Sequence, residues 1–187
     1  MSSRPTWDDT WIEVARTVAK RSTCARDQVG AVVVSRTNRI LETGYNGPPA
    51  GWDIIHSDKC DVWCPRAVKG TMWGFKHEPD CAIVTTHHLT CTCGSYTREQ
   101  EPLEPDYSDC VSLHAEQNAL MFGDRAAREG GTIYVSSGVC STCAKLIANS
   151  GLEQVVMALS TQYDAAHRQT GKWVEFMEQC GLTVVIL

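Results

Sequence analysis

Two short motifs restrict this chain more than any other feature: His114-Ala-Glu116 and Cys140-Ser-Thr-Cys143. One imidazole and two thiols give a zinc ion three protein ligands and leave its fourth tetrahedral position open, as catalytic zinc sites require. Any fold must therefore bring His114, Cys140 and Cys143 to one point. The stretch between the motifs has room for one helix, one strand and two turns, which puts both motifs at helix starts. The partial positive charge and free N–H groups there favour thiolates. Glu116, two residues past the histidine, is placed to handle the protons of a water without being a ligand. Read alone, C-x-x-C also fits a closed structural zinc knot or two buried thiols. Glu116 alone also fits a first-turn glutamate that complements the helix dipole.

The rest of the chain supplies a frame for such a site. Thr6 to Arg21 carries Trp7, Trp11, Val14, Ala15 and Val18 at helical spacing, with Thr6, Asp8 and Asp9 as its start. Val29 to Ser35 is a β-branched run expected as a buried strand, and Arg39 to Thr43 as its partner across a Thr37-Asn38 turn. Gly44 to Gly51 reads as a loop. After Leu113 the pattern predicts a helix over Glu116–Arg128, with Ala119, Leu120 and Phe122 as its apolar residues and Gly130-Gly131 ending it. A strand over Thr132–Ser136 follows, then a helix over Cys140–Ser150 and a strand over Val155–Leu159. A helix over Asp164–Cys180 and a strand over Leu182–Leu187 complete the chain. Alternating strands and helices imply an α/β sheet covered by helices.

Residues 52–110 break this rhythm. They hold six of the ten cysteines and four of the six histidines. Ala82 to Thr86 could form a short strand or helix piece, and the acidic Gln100–Asp109 reads as an exposed loop. An irregular segment of this length inside a domain has a special reason. Metal cross-linking is the one this composition suggests; the alternative is a cysteine-rich loop without metal.

Composition excludes other classes. With 17 Lys and Arg against 22 Asp and Glu, the net charge is −5, opposite to the basic face of a nucleic-acid binder. The longest apolar run, Val29 to Val34, is far too short to span a membrane. Met1 to Asp9 lacks the apolar core of a secretory signal, so the cysteines are expected as metal ligands or thiols in a reducing compartment rather than as disulfides.

The pattern H-x-E followed by P-C-x-x-C marks zinc-dependent nucleobase deaminases; Val139 stands at the proline position here, which loosens the turn before Cys140. Zinc lowers the pKa of a bound water toward neutrality, and Glu116 would pass the proton to the base and on to the leaving amine. Further segments sharpen the likeness. Cys24-Ala-Arg-Asp-Gln-Val-Gly-Ala-Val-Val-Val34, Gly44-Tyr-Asn-Gly-Pro-Pro-Ala-Gly51, His114-Ala-Glu-Gln-Asn-Ala-Leu120, Cys140-Ser-Thr-Cys-Ala-Lys-Leu-Ile147 and Gln162-Tyr-Asp164 together resemble deoxycytidylate deaminases of bacteria and bacteriophages.

The resemblance covers Thr17 to Leu187, thinly between Trp52 and Asp109. The length suits a single domain over 1–187, with a Cys/His-rich insertion at about 52–110, and the resemblance implies the three-layer α/β/α cytidine-deaminase-like fold, a mixed five-stranded sheet between helices. It implies hydrolysis of dCMP to dUMP in the cytoplasm, or in the host cytoplasm for a phage protein. Asn46, Ala115 (through its peptide groups) and Tyr163 match substrate contacts. Read without the family, Asn46 fits a turn residue with φ > 0. Hexamers switched on by dCTP, with Mg²⁺, and off by dTTP are implied too, and Arg125 matches an arginine tied to that regulation; its other reading is a solvated helix charge. A second, structural zinc is implied, with Cys24, Cys60 and Cys110 as ligands and His56 or Cys64 as the fourth. Two other readings stay open: a deaminase of a 5-methylated or 5-hydroxymethylated dCMP, and a zinc-ribbon-like binding module.

Overall fold

Thr6 opens the first helix by accepting from Asp9 N at 3.1 Å, while its own N–H donates to Asp9 Oδ2 at 3.2 Å. This reciprocal pair satisfies two N–H groups that a helix start leaves without partners. A computed structural model describes residues 4–24, 27–50, 74–76, 97–99, 110–159 and 170–187. The elements are α1 (Trp7–Ala19), β1 (Gly30–Val34), β2 (Ile40–Tyr45), β3 (Gly74–Lys76) and β4 (Thr97–Glu99), then α2 (Ala115–Met121) and α3 (Arg125–Arg128). The chain continues through β5 (Thr132–Val135), α4 (Ser141–Ala148), β6 (Gln154–Met157), α5 (Thr170–Gln179) and β7 (Thr183–Ile186).

Chain contacts divide the protein into two units: Met1–Ser22, Gln28–Gly47 and Leu113–Leu187 form one, Thr23–Asp27 with Pro48–Ser112 the other. In the second unit β3 and β4 pair antiparallel, where the sequence shows no regular pattern. Ala82–Thr86, Gln100–Asp109 and the first turns of the helix expected from Asp164 lie outside the described residues, as do Tyr163, His56, Cys60 and Cys64.

The first unit holds a five-stranded sheet in the order β2-β1-β5-β6-β7. β1 runs antiparallel to both β2 and β5, whereas β5, β6 and β7 are mutually parallel. The sheet is thus mixed, as the resemblance implies. β1 sits inside and is buried along its whole length, which is why its sequence is a continuous apolar run rather than an alternating one. Val33, Ile133, Val135 and Val155 face Ala119, Cys143, Ile147 and Met177 on one side. Val32, Val34, Tyr134 and Val156 face Ile12 and Ala15 of α1 on the other. Helices therefore cover both faces, giving three layers. α1 is also tied by its side chains: Tyr134 Oη donates to Asp8 Oδ1 at 2.9 Å, and Trp11 Nε1 to Asn38 Oδ1 at 2.7 Å.

Two differences from the sequence reading have a clear physical cause. Gly44 and Tyr45 belong to β2 and not to the loop, because a strand without a side chain at 44 can lie directly on α2: a Cβ there would meet Ala115 O at 2.2 Å. The helix expected over Glu116–Arg128 is two helices. Asp124 Oδ1 accepts from Ala126 N at 3.0 Å and starts α3 anew. Arg128 Nη1 donates to Leu120 O at 2.8 Å and Gly123 O at 3.2 Å, on carbonyls left at the end of α2. Phe122, expected on the apolar face, is 78 % exposed as a result.

Candidate active site

His114 precedes the first residue of α2 with an extended backbone, and Cys140 does the same for α4. The His114 N–H donates to Gln117 Oε1 at 2.7 Å and its carbonyl accepts from Asn118 N at 3.0 Å. The Cys140 carbonyl accepts from Ala144 N at 2.9 Å. Both residues are thus fixed by helix starts, with Cys143 on the first turn of α4. Val139, in place of proline, is buried in the core beside Cys140.

His114 Nδ1 lies 3.3 Å from Cys140 Sγ and 3.4 Å from Cys143 Sγ, and all three ligand atoms fall within 4.8 Å of one another. Zinc–sulfur and zinc–nitrogen bonds of ordinary length at a tetrahedral angle place such atoms about 3.6 Å apart. The donor set and spacing therefore fit one zinc ion, and it is the one metal-competent group of His, Cys and acidic side chains among the described residues. The thiols are unequal. The Cys143 thiol and then His114 hydrogen-bond Cys140 and hold it down to about 3, against the opposing effect of burial. Cys143 is pushed up, first by its bond to Cys140, then by burial and by the Glu116 charge.

Glu116 is 2 % exposed and hydrogen-bonds Cys143. A carboxylate on the first turn of a surface helix would ordinarily point to water; this one is enclosed beside the sulfurs. Ala115, between His114 and Glu116, is fully buried.

Asn46 is also buried. Its Oδ1 accepts from Val29 N at 2.8 Å, and its carbonyl accepts from Ser22 Oγ at 2.7 Å. It is not a left-handed turn residue: Asn38, φ 59°, is the one non-glycine with positive φ among the described residues. The next residue, Gly47, pairs with Leu113 through N–H···O bonds of 3.1 and 2.9 Å in the two directions. That bridge brings the Asn46 loop beside the residue preceding His114.

Arg125 Nη1 donates to Asn149 O at 3.0 Å, on the C-terminal end of α4. Cys24 and Cys110 belong to the second unit, are half-buried and form no disulfide. Three residues were not singled out from sequence. Gly44 packs its bare backbone on α2, Asn118 Nδ2 donates to Tyr45 O at 2.8 Å, and Ser137 buries a hydroxyl with no hydrogen-bond partner among the described residues. A glycine inside a strand is a usable signal of close backbone approach; the other two have none in the sequence.

Residues 5–159 match the family described as the cytidine and deoxycytidylate deaminase zinc-binding region. The deoxycytidylate deaminase of Mycobacterium phage D29 is 37 % identical over 158 residues, 82 % of this chain and 95 % of that protein. That of Enterobacteria phage T4 is 31 % identical over 183 residues, 94 % of this chain and 86 % of that protein. Among solved structures, the dCMP deaminase of cyanophage S-TIM5 in complex with dCMP and dUMP aligns over 100 % of both chains, with a TM-score of 0.57 and 23 % identity, a likeness of fold. With the family matched over most of its length and relatives of this identity, the chain belongs to the cytidine and deoxycytidylate deaminase family of enzymes.

Proposed function

We propose that this enzyme hydrolyses dCMP to dUMP, with a zinc ion held by His114, Cys140 and Cys143 and with Glu116 moving the protons. The observation that carries this reading is the enclosure of Glu116 beside the three converging donor atoms. When bound, zinc supplies a water whose pKa lies near neutrality. Glu116 takes a proton from the attacking water and delivers it to the ring nitrogen next to C4. With the C4–O bond formed, Glu116 takes the second proton from the new C4 hydroxyl and passes it to the amine, so that the C4–N bond breaks, ammonia leaves and C4 becomes a carbonyl. Asn46 and the Ala115 peptide groups hold the nucleotide, joined by Tyr163 from outside the described residues.

On the same reading, residues 1–187 form a single deaminase domain in which the Cys/His-rich stretch is an insertion. A second, structural zinc takes Cys24 and Cys110 with Cys60 and His56. The enzyme is a homo-oligomer, a hexamer, that answers to dCTP with Mg²⁺ and to dTTP through a site including Arg125, and it works in the cytoplasm, that of the host for a phage protein. No helix among the described residues is long and apolar enough to cross a membrane.

The test is ammonia release from dCMP, CMP, 5-methyl-dCMP and 5-hydroxymethyl-dCMP, with metal analysis of each preparation. Turnover of dCMP that Glu116→Gln abolishes while keeping its zinc supports both reaction and proton path. Selective turnover of a 5-substituted nucleotide would keep the chemistry and replace the substrate. Silence on every nucleotide with zinc in place would sink the proposal.

A further inference from the structure

β2 is an edge strand, so half of its backbone groups have no strand to bond. One of them, Tyr45 O, receives a side chain from the catalytic helix instead: Asn118 Nδ2 donates to it at 2.8 Å. Asn118 is two residues beyond Glu116, and its backbone N–H donates to His114 O. Tyr45 immediately precedes Asn46. A single side chain thus links the helix that carries His114 and Glu116 to the residue before the proposed nucleotide contact. Asparagine is a weak helix former, and α2 has only seven residues, so this position is held at some cost to the helix.

The surrounding contacts show why the link matters. Asn46 itself is fastened on the other side, to Val29 N and Ser22 Oγ. The Gly47–Leu113 bridge and the close approach of Gly44 to α2 are backbone contacts. Asn118 adds a side-chain hydrogen bond from α2 to the Gly44–Gly47 segment. We propose that Asn118 is a positioning residue: its amide sets the place of Asn46 relative to Glu116, so that a nucleotide held at Asn46 presents its base to the proton-transferring carboxylate. The inference rests on the reading of Asn46 as a nucleotide contact, and it assigns Asn118 no contact of its own with substrate.

A double-mutant cycle tests it on the zinc-loaded enzyme, with dUMP binding by calorimetry, steady-state kinetics on dCMP and zinc content measured for each protein. Asn118→Asp keeps the shape but loses the N–H donor, and Asn118→Ala removes the amide entirely; two variants guard against one misfolding. Each is expected to weaken dUMP binding and raise KM by about tenfold, the scale of one lost hydrogen bond, with zinc content unchanged. In an Asn46→Ala background the further change at 118 is expected to add less than about twofold, because residues acting through one contact are not additive. Effects at 46 and 118 that multiply fully, or an Asn118 variant that binds dUMP normally while Asn46→Ala does not, overturn the inference alone. Normal dUMP binding by Asn46→Ala overturns the reading of Asn46 and the inference with it.

Discussion

Gly44→Ala is the substitution on which the positioning of the catalytic helix can be judged. A Cβ at 44 would stand 2.2 Å from Ala115 O and 2.4 Å from Ala119 N, both backbone atoms of α2. Carbon and oxygen pack at about 3.2 Å, so the helix must retreat by roughly 1 Å, and overpacking of this kind costs about 1–3 kcal/mol. Gly44 lies outside the left-handed region, so alanine adds no backbone strain and recovers about 0.4–1 kcal/mol by stiffening the unfolded chain. The net loss of about 1–2 kcal/mol lowers Tm by roughly 2–8 °C for a chain of this size. The effect on turnover is expected to be larger, because Ala115 lies between His114 and Glu116, and a misplacement of about 1 Å lowers kcat on the order of a hundredfold. Gly30→Ala is the control. Its Cβ would meet Ala15 O at 2.0 Å and Ala19 N at 2.6 Å, an equal clash against α1, which carries none of the proposed catalytic residues. Calorimetry and dCMP kinetics at saturating zinc should show both variants destabilised and only Gly44→Ala severely slowed. Equal kcat values in the two, or a Gly44→Ala enzyme within about threefold of wild type, would refute the claim that this contact sets the helix.

Two other substitutions probe buried polar groups. Ser137→Ala removes a buried hydroxyl that has no partner among the described residues, and leaving such a group unpaired costs about 1–3 kcal/mol; the variant should be as stable as wild type or more so in thermal unfolding, and a clear loss would reveal a partner for the hydroxyl. Tyr134 is held protonated, first by burial and then by its bond to Asp8. The folded state therefore keeps a proton that the unfolded state releases near pH 10, so this contribution is complete below that pH and is lost as pH rises beyond it. Tyr134→Phe should lose stability at neutral pH and show a shallower decline above pH 10; an unchanged alkaline limb would contradict the assignment.

Much of the fold was legible because its signals are local. The Thr6–Asp9 cap, the apolar run of β1 and the glycines closing the helices act within a few residues of themselves, and the observed elements follow them. The helix expected through Phe122 failed for a reason that is only partly local. Apolar spacing continues past Met121, yet Asp124 starts a new helix and Arg128 folds back onto carbonyls of Leu120 and Gly123. Arg125 fits either a solvated charge or a regulatory residue by sequence, and a carbonyl at the far end of another helix, Asn149 O, takes its guanidinium.

The sequence alone determined which atoms could hold a metal and move protons, because few side chains can do either and their spacing puts them at helix starts. It also determined that a buried strand and covering helices would carry them. Only the tertiary structure decided that the carboxylate of Glu116 is enclosed against Cys143 rather than turned to water, that Asn46 is pinned to Val29 rather than forming a turn, and that Gly44 and Asn118 bind the catalytic helix to the edge strand. Those outcomes depend on contacts between segments distant in the chain, where close packing sets distances to fractions of an ångström and no periodicity within one segment records them.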